Sequence, residues 1–324
     1  MSVGIGIIGT GVMGAEHARI LRHETPGAHL VGIFDADAAR AEAVASGATV
    51  FSDPHSLIGS DRIDAIVIAS PDATHASLTR ACIAAGKPVL CEKPLASSAA
   101  DALDVVQAEV AFGRRLIQVG YMRRFDPGYR EIKRVKDTGG LGEPVLLHNV
   151  HRNVRAPEWF TGPMAVTNSF VHEIDASRWL LGSEMISAHV EAGSGGEPLM
   201  ITMKTDKDEI VSTEVFVNAG YGYHVHVELV GRQGTVSLAP ASLTLLNRDG
   251  AARHSYPDNW VPRFEEAYRR QMAEWISAVK AGVSVGASAW DGYLASAIAE
   301  QIAEALAGNG VARLKYGPRP SLYD

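Results

Sequence analysis

Between Val3 and Gly120, short apolar runs alternate with stretches of helical period. The runs are Gly4–Ile8, Leu30–Phe34, Ile63–Ala69, Val89–Cys91 and Leu116–Val119. They are too short for helices and lack the polar alternation of a half-exposed strand, which predicts strands buried on both faces of a parallel sheet. Met13–Arg22, Ala38–Ser46, Thr74–Ala85 and Ala99–Phe112 read as the intervening helices. In the last of them Leu103, Val106 and Val110 stand three and four apart. This order predicts a doubly wound α/β domain. Beyond it the pattern changes. Val145–Asn153 reads as a strand and Asn168–Leu181 as a helix stopped by Gly182. Leu199–Lys204, Ile210–Val217, Tyr223–Val230 and Thr235–Leu238 are strand-like segments joined by short turns, which predicts a mostly antiparallel sheet. A helix over Pro262–Lys280 follows. A second helix carries Leu294, Ile298, Ile302 and Leu306 as a stripe that needs an apolar partner.

Composition narrows the function classes. A chain of 324 residues, 46% hydrophobic and 21% charged, suits about two globular domains. The net charge of −7 and the lack of a basic stripe argue against a nucleic-acid partner. Cys82 and Cys91 are too few for a disulfide scaffold and have no metal-ligand spacing. Both fall in apolar stretches and read as small buried hydrophobes. No apolar run reaches bilayer length, so no membrane association is expected. The chain opens directly into its first strand without a charged signal-like segment, and a cytoplasmic protein is expected.

Gly9-Thr10-Gly11-Val12-Met13-Gly14 fits G-x-G-x-x-G. The pattern follows a buried strand, opens a helix, and has Asp35 at the end of the next strand. That context specifies a Rossmann dinucleotide site. Gly9 permits the tight turn, Gly11 lets the backbone approach a pyrophosphate, and Gly14 permits close helix–strand packing. Asp35 accepts from ribose hydroxyls and repels a 2′-phosphate, which favours NAD; its alternative role is to cap the next helix. Arg40 reads as part of a solvated helix face. Ser70, Thr74 and His75 follow another strand end, where ligands bind; the alternative for Thr74 and His75 is helix capping.

Glu92-Lys93-Pro94 leaves the carboxyl end of the Val89–Cys91 strand, and Pro94 holds Lys93 extended, with a cis Lys93–Pro94 bond as one option. A lysine there points into the cofactor crevice and is suited to proton exchange with a substrate hydroxyl; otherwise it is a solvated surface residue. Asn168, His172 and Asp175 share one face of a predicted helix and bring together an amide, an imidazole and a carboxylate. His172 is a candidate proton relay or a structural histidine. His224, His226 and Glu228 share a strand face, but hydride chemistry needs no metal, and no metal is expected.

Glu92-Lys93-Pro94 after the glycine loop, then Tyr121-Met122-Arg123-Arg124-Phe125-Asp126 and His172-Glu173-Ile174-Asp175, resemble the Gfo/Idh/MocA oxidoreductase family. The YMRRFD segment and His151-Arg152-Asn153 resemble its inositol dehydrogenase branch most. The resemblance implies an NAD-binding Rossmann domain over 1–121. A substrate and oligomerisation domain over 122–324, α/β with a large, mostly antiparallel open sheet, would follow it. It implies NAD-dependent oxidation of a cyclic polyol, a small-molecule partner, and a homo-oligomer, often a tetramer. Its catalytic set places Lys93 and His172 in proton transfer, with Asn168 where the family has an aspartate. Its substrate positions are Arg123, His151, Asn153, Asp175 and Tyr223. Arg123 has an alternative in a domain-interface ion pair, and Tyr223 in aromatic packing. Its cofactor positions are Gly9, Thr10, Gly11, Val12, Met13, Asp35, Ser70, Thr74, His75, Glu92 and Lys93. A pyranose or anhydrosugar dehydrogenase and a non-catalytic NAD-binding regulator are the rival readings.

Overall fold

A computed structural model describes residues 2–160, 162–239 and 245–324. Contacts divide the chain into two units. One comprises the chain up to Phe125 with Glu266–Ala297 and Gly317–Asp324; the other comprises Asp126–Glu265 with Ile298–Tyr316.

The first unit begins with β1 (Val3–Ile8), α1 (Val12–Glu24), β2 (Ala28–Phe34), α2 (Ala38–Ala45), β3 (Thr49–Val50) and α3 (Pro54–Ile58). It continues with β4 (Ala65–Ile68), α4 (His75–Ala84), β5 (Val89–Cys91), α5 (Ala99–Phe112) and β6 (Ile117–Val119). The six strands form one sheet in the order β3-β2-β1-β4-β5-β6, and every pair is parallel. Each residue of β1, β4, β5 and β6 is buried, as continuous apolar runs require of a sheet covered on both faces. The strand expected over Ile63–Ala69 is shorter, Ala65–Ile68. The two-residue β3 and the five-residue α3 were not expected; α3 starts at Pro54 behind the capping Asp53. In α5 the buried face is Ala102, Val105, Val106 and Glu109, while Val110 is exposed. The stripe expected through Leu103 and Val110 is therefore rotated. The cause is Glu109, whose carboxylate accepts the Leu116 and Ile117 N–H groups at 2.6 and 2.8 Å and the Tyr323 hydroxyl at 2.6 Å.

The second unit holds α6 (Pro127–Asp137), β7 (Pro144–Arg152), α7 (Val171–Leu181), β8 (Met185–Ala192), β9 (Leu199–Thr205), β10 (Ile210–Phe216), β11 (His224–Gly231) and β12 (Gly234–Ser237). A two-stranded ribbon, β13 (Leu246–Arg248) and β14 (Ala251–Arg253), and a short α8 (Trp260–Arg263) follow. After α9 (Glu265–Ala281) and α10 (Ala289–Ala307), β15 (Val311–Arg313) closes the strand list. The large sheet runs β12-β11-β7-β10-β9-β8-β15 and is antiparallel except at β7–β10. Alternation is strict in β9 and β10. Leu199, Ile201, Met203, Val211, Thr213 and Val215 are buried, whereas Met200 and Ile210 are exposed. One face thus forms the core and the other is open.

The helix expected from Pro262 is divided. Trp260–Arg263 is a separate turn and α9 starts at Glu265. Apart from Glu265, α9 packs in the first unit, and the Val119 N–H donates to Ala287 O at 2.8 Å, which joins the segment before α10 to β6. Of the α10 stripe, Leu294, Ile298 and Ile302 are fully buried and Leu306 is half-buried. Gly182 ends α7 with φ +69°, the left-handed conformation that glycine adopts without strain.

Candidate active site

Crossing from β1 to α1 the chain turns at Gly9, whose φ is +91°. A Cβ on Gly9 would stand 2.4 Å from Ser70 N, and one on Gly14 would stand 1.9 Å from Gly9 O. Only glycine fits at either position. Around Gly11 the opposite holds, with no atom within 4 Å of a Cβ position. The loop is thus tight against its own sheet and open above. The opening is a cleft of about 560 Å³ whose walls include Gly9, Gly11, Asp35, Ser70 and Thr74. Val12 is exposed and Met13 half-buried at the start of α1. These residues fit a dinucleotide: an open glycine beside helix N–H groups for a pyrophosphate, and a carboxylate at the second strand end for a ribose.

Asp35 is held by the glycine loop itself. Its Oδ2 accepts the Thr10 N–H at 2.7 Å and the Thr10 hydroxyl at 2.8 Å, and its Oδ1 accepts the Asp37 N–H at 2.8 Å. Burial pushes its carboxyl up, but the bonds from Asp37 and Thr10, with Arg40 at 3.3 Å, bring it below the ordinary carboxylate value. Capping of α2 falls to Asp37, which accepts from the Ala39 and Arg40 N–H groups, so Asp35 does not serve as that cap. Arg40 is largely exposed, as expected, yet it also lines the cleft. Pro54 and His55 line it as well and were missed, because α3 was not foreseen; the Asp53-Pro54 helix start was the available signal.

Ser70 and Thr74 share a hydrogen bond of 2.6 Å at the end of β4, and Thr74 also donates to Pro71 O at 2.8 Å. The Thr74 side chain makes no cap bond to α4. His75 stands apart from the cleft wall. It is 1% exposed, and its two ring nitrogens lie 2.7 Å from Pro94 O and 2.8 Å from Ser70 O. Glu92 is also buried. Its Oε1 pairs with His17 Nε2 at 2.7 Å, and its Oε2 accepts the Lys93 N–H at 3.3 Å. A Cβ on Gly120 would come within 2.7 Å of that Oε2 and 3.0 Å of the Glu92 Cα, so glycine is required just past β6. Lys93 follows at the carboxyl end of β5, half-buried, and the Lys93–Pro94 peptide is cis. Cys82 and Cys91 are fully buried. Arg123, in the turn after β6, is 1% exposed.

The second unit brings together His151, His172 and Tyr223. The His151 ring lies 6.4 Å from that of His172 and 6.0 Å from that of Tyr223, the latter edge-on. All three are buried, as is Asp175 on α7. A buried carboxylate that the sequence reading did not single out completes the group: Glu173 meets His151 Nδ1 at 2.9 Å. Its signal was its place beside His172 in the His172-Glu173-Ile174-Asp175 segment. The helix expected from Asn168 begins as a π turn, Ala165–Phe170, and becomes α-helical at Val171. Asn168 therefore sits, half-buried, in a wider turn, and the α spacing that placed it with His172 applies only from His172 to Asp175. Asn153, just past β7, is half-buried, and its N–H donates to Phe216 O at 3.0 Å. On the open face Tyr221 bonds His224 Nδ1 at 2.7 Å, and burial with Arg152 nearby lowers the His224 pKa. Among the described residues no three His, Cys, Asp or Glu side chains are grouped to hold a metal, and no helix is long and apolar enough to cross a membrane.

The profile of the oxidoreductase family with an NAD-binding Rossmann fold, Gfo/Idh/MocA, matches residues 3–121, and that of the Gfo/Idh/MocA C-terminal domain matches 129–237. Inositol 2-dehydrogenase 1 of Saccharopolyspora erythraea is 48% identical, over 100% of this chain and 99% of its own. Inositol 2-dehydrogenase of Acidothermus cellulolyticus is 40% identical, over 99% and 98%. The crystal structure of myo-inositol dehydrogenase from Lactobacillus casei, in complex with NAD(H) and myo-inositol, superposes with a TM-score of 0.96 at 31% identity over 100% of both chains. This chain belongs to the Gfo/Idh/MocA oxidoreductase family.

Proposed function

We propose that this protein is an NAD-dependent inositol 2-dehydrogenase, which oxidises a ring hydroxyl of inositol to the ketone. The observation that carries the reading is full-length identity of 48% to an inositol 2-dehydrogenase, in a chain whose Rossmann unit keeps an open Gly11 and a loop-anchored Asp35. Bound NAD supplies the hydride acceptor. Gly9, Thr10, Gly11, Val12 and Met13 cradle its pyrophosphate, Asp35 takes its adenosine ribose, and Ser70 and Thr74 face it from β4. Glu92 and His75 act behind that surface.

Lys93 and His172 are proposed to share the hydroxyl proton. Lys93 Nζ holds the oxygen and lowers the cost of its developing charge, and His172 accepts the proton as a neutral imidazole. Asn168 offers an amide to the substrate or the imidazole. Arg123, His151, Asn153, Asp175 and Tyr223 are proposed to hold the remaining hydroxyls. The proposed division of labour is residues 1–121 for NAD and 122–324 for substrate and assembly. The open sheet face, with Met200, Ile210, Ile186 and Val311 exposed, supports assembly into a homotetramer, and we place the protein in the cytoplasm. The test is NADH formation by the purified protein across inositol isomers, glucose and anhydrosugars, with mass in solution from light scattering. The highest kcat/KM on an inositol is expected. A higher value on a pyranose, or no turnover with any of them, refutes the reading.

A further inference from the structure

We propose that His75 is a positioning residue: an imidazolium that donates from both ring nitrogens, tying the Ser70 carbonyl at the end of β4 to the Pro94 carbonyl beside Lys93. The geometry demands the second proton. Nδ1 lies 2.7 Å from Pro94 O and Nε2 lies 2.8 Å from Ser70 O. Both partners are carbonyl oxygens, which have no proton to give. A neutral imidazole has one N–H, so one of the two contacts would set a nitrogen lone pair against an oxygen lone pair in a site 1% exposed. Exchanging the ring atoms does not relieve this, because both nitrogens meet the same kind of acceptor. The imidazolium satisfies both.

A buried cation needs compensation. The two carbonyls provide part of it. The titratable group beside the ring is Cys91 of β5, and Cys82 of α4 lies beside that thiol in turn. Burial pulls the His75 pKa down, but the Cys91 sulfur, as an anion and as a hydrogen-bond partner, with Pro94 O and Ser70 O, outweighs it and pushes it up to about 10. The two carbonyl acceptors, each within 2.8 Å of a ring nitrogen, hold the clamp closed.

Its placement gives the clamp a function. Ser70 lines the cofactor cleft, and Pro94 follows the lysine proposed to handle the hydroxyl proton. A single side chain at the start of α4 therefore fixes the exits of β4 and β5 against each other. This rests on the proposed role of Lys93.

Two measurements decide it. In the NAD-loaded enzyme with ¹⁵N-labelled histidine, the chain has 12 histidines, most of them not fully buried. We expect one ring with both nitrogens at protonated shifts and both N–H protons in slow exchange from pH 7 to 9. If no ring shows that pair, the imidazolium is refuted; this requires no variant. Next, His75→Gln retains a donor for one carbonyl only. Since displacements near 1 Å cost about a hundredfold in rate, kcat should fall by at least about tenfold while KM for NAD stays within about threefold. An unchanged kcat, or a rise in KM alone, refutes the positioning role. Failure of the Lys93 reading shows separately, as turnover by Lys93→Ala with the His75 ¹⁵N signature intact.

Discussion

Replacing Asp35 by Asn tests how the cleft selects its cofactor. Asp35 is a half-buried carboxylate that carries full charge, because Thr10 and Asp37 donate to both of its oxygens. A 2′-phosphate on the adenosine ribose would stand next to it. Two unit charges about 4 Å apart repel by about 4 kcal/mol at an effective dielectric of about 20. Arg40, 58% exposed and 3.3 Å from Oδ1, offsets part of this and is itself screened by solvent. A net penalty of about 2–4 kcal/mol corresponds to roughly 30- to 900-fold discrimination against NADP. Asparagine removes the charge and keeps one acceptor oxygen. That oxygen can serve Thr10 or Asp37 but not both sides, so the variant should also lose about 1–2 kcal/mol of stability. The assay is kcat/KM for NAD and NADP at saturating polyol, with a thermal melt as control. The ratio of NADP to NAD efficiency should rise at least about tenfold, mostly through a weaker KM for NAD. A ratio that moves less than about twofold, in a variant whose melt has fallen as expected, would show that Asp35 secures the glycine loop without facing the ribose.

Four further outcomes follow from the same contacts. Lys93→Ala should abolish NADH formation while NADH still binds, as read by nicotinamide fluorescence. In the proposed site Asn168→Asp sets a carboxylate beside the His172 imidazole and favours the imidazolium; kcat should rise, and the acid limb of the pH profile should move up by about one unit, since the base must start neutral. Tyr323→Phe removes the hydroxyl that donates to buried Glu109 at 2.6 Å and should destabilise the protein by about 1.5–3 kcal/mol in urea titrations. His75, raised from 6.5 to about 10, keeps a proton that the unfolded chain loses. Its stabilisation is therefore complete below about pH 6.5 and should fade by up to about 1.4 kcal/mol per pH unit as pH rises toward 10, a slope absent from His75→Gln.

The Rossmann half was legible because its signals are local. Three strands, β1, β4 and β5, are unbroken apolar runs, and Gly9 and Gly14 stand where a Cβ would collide with backbone. What escaped was set at a distance or in very few residues. β3 and α3 are two and five residues long, too brief for any period to show. β8, Met185–Ala192, breaks its alternation where the register shifts after Met185. Val110 looked buried by spacing, yet Glu109 takes that face because three donors from β6 and the C-terminal tail converge on it. The stripe of α10 announced a partner without saying which, and α9 was equally silent about packing with the first unit. Lys93 could be placed from its strand, whereas Glu173 could not be paired with His151, since a carboxylate in a helix reads as surface until its neighbour is known.

In the cofactor half, most charged or protic side chains near the strand ends are engaged by the protein's own backbone. Asp35 takes N–H groups from Thr10 and Asp37, Glu92 takes His17 and the Lys93 N–H, His75 takes two carbonyls, and Glu109 takes two N–H groups. Asp35, Glu92 and His75 act where a strand has just ended and Glu109 where β6 begins, places where the ladder does not satisfy the main chain and an unpaired peptide group would be costly. Filling those positions with ionisable residues supplies stronger bonds than neutral groups would. It also fixes each exit loop in one conformation. The same motif residues therefore read as ligand contacts in the sequence and act as backbone anchors in the fold. Glu92 shows the distinction most clearly. Its two oxygens are turned to His17 and to the Lys93 N–H, so within Glu-Lys-Pro the glutamate anchors the loop in which the lysine proposed for proton transfer stands.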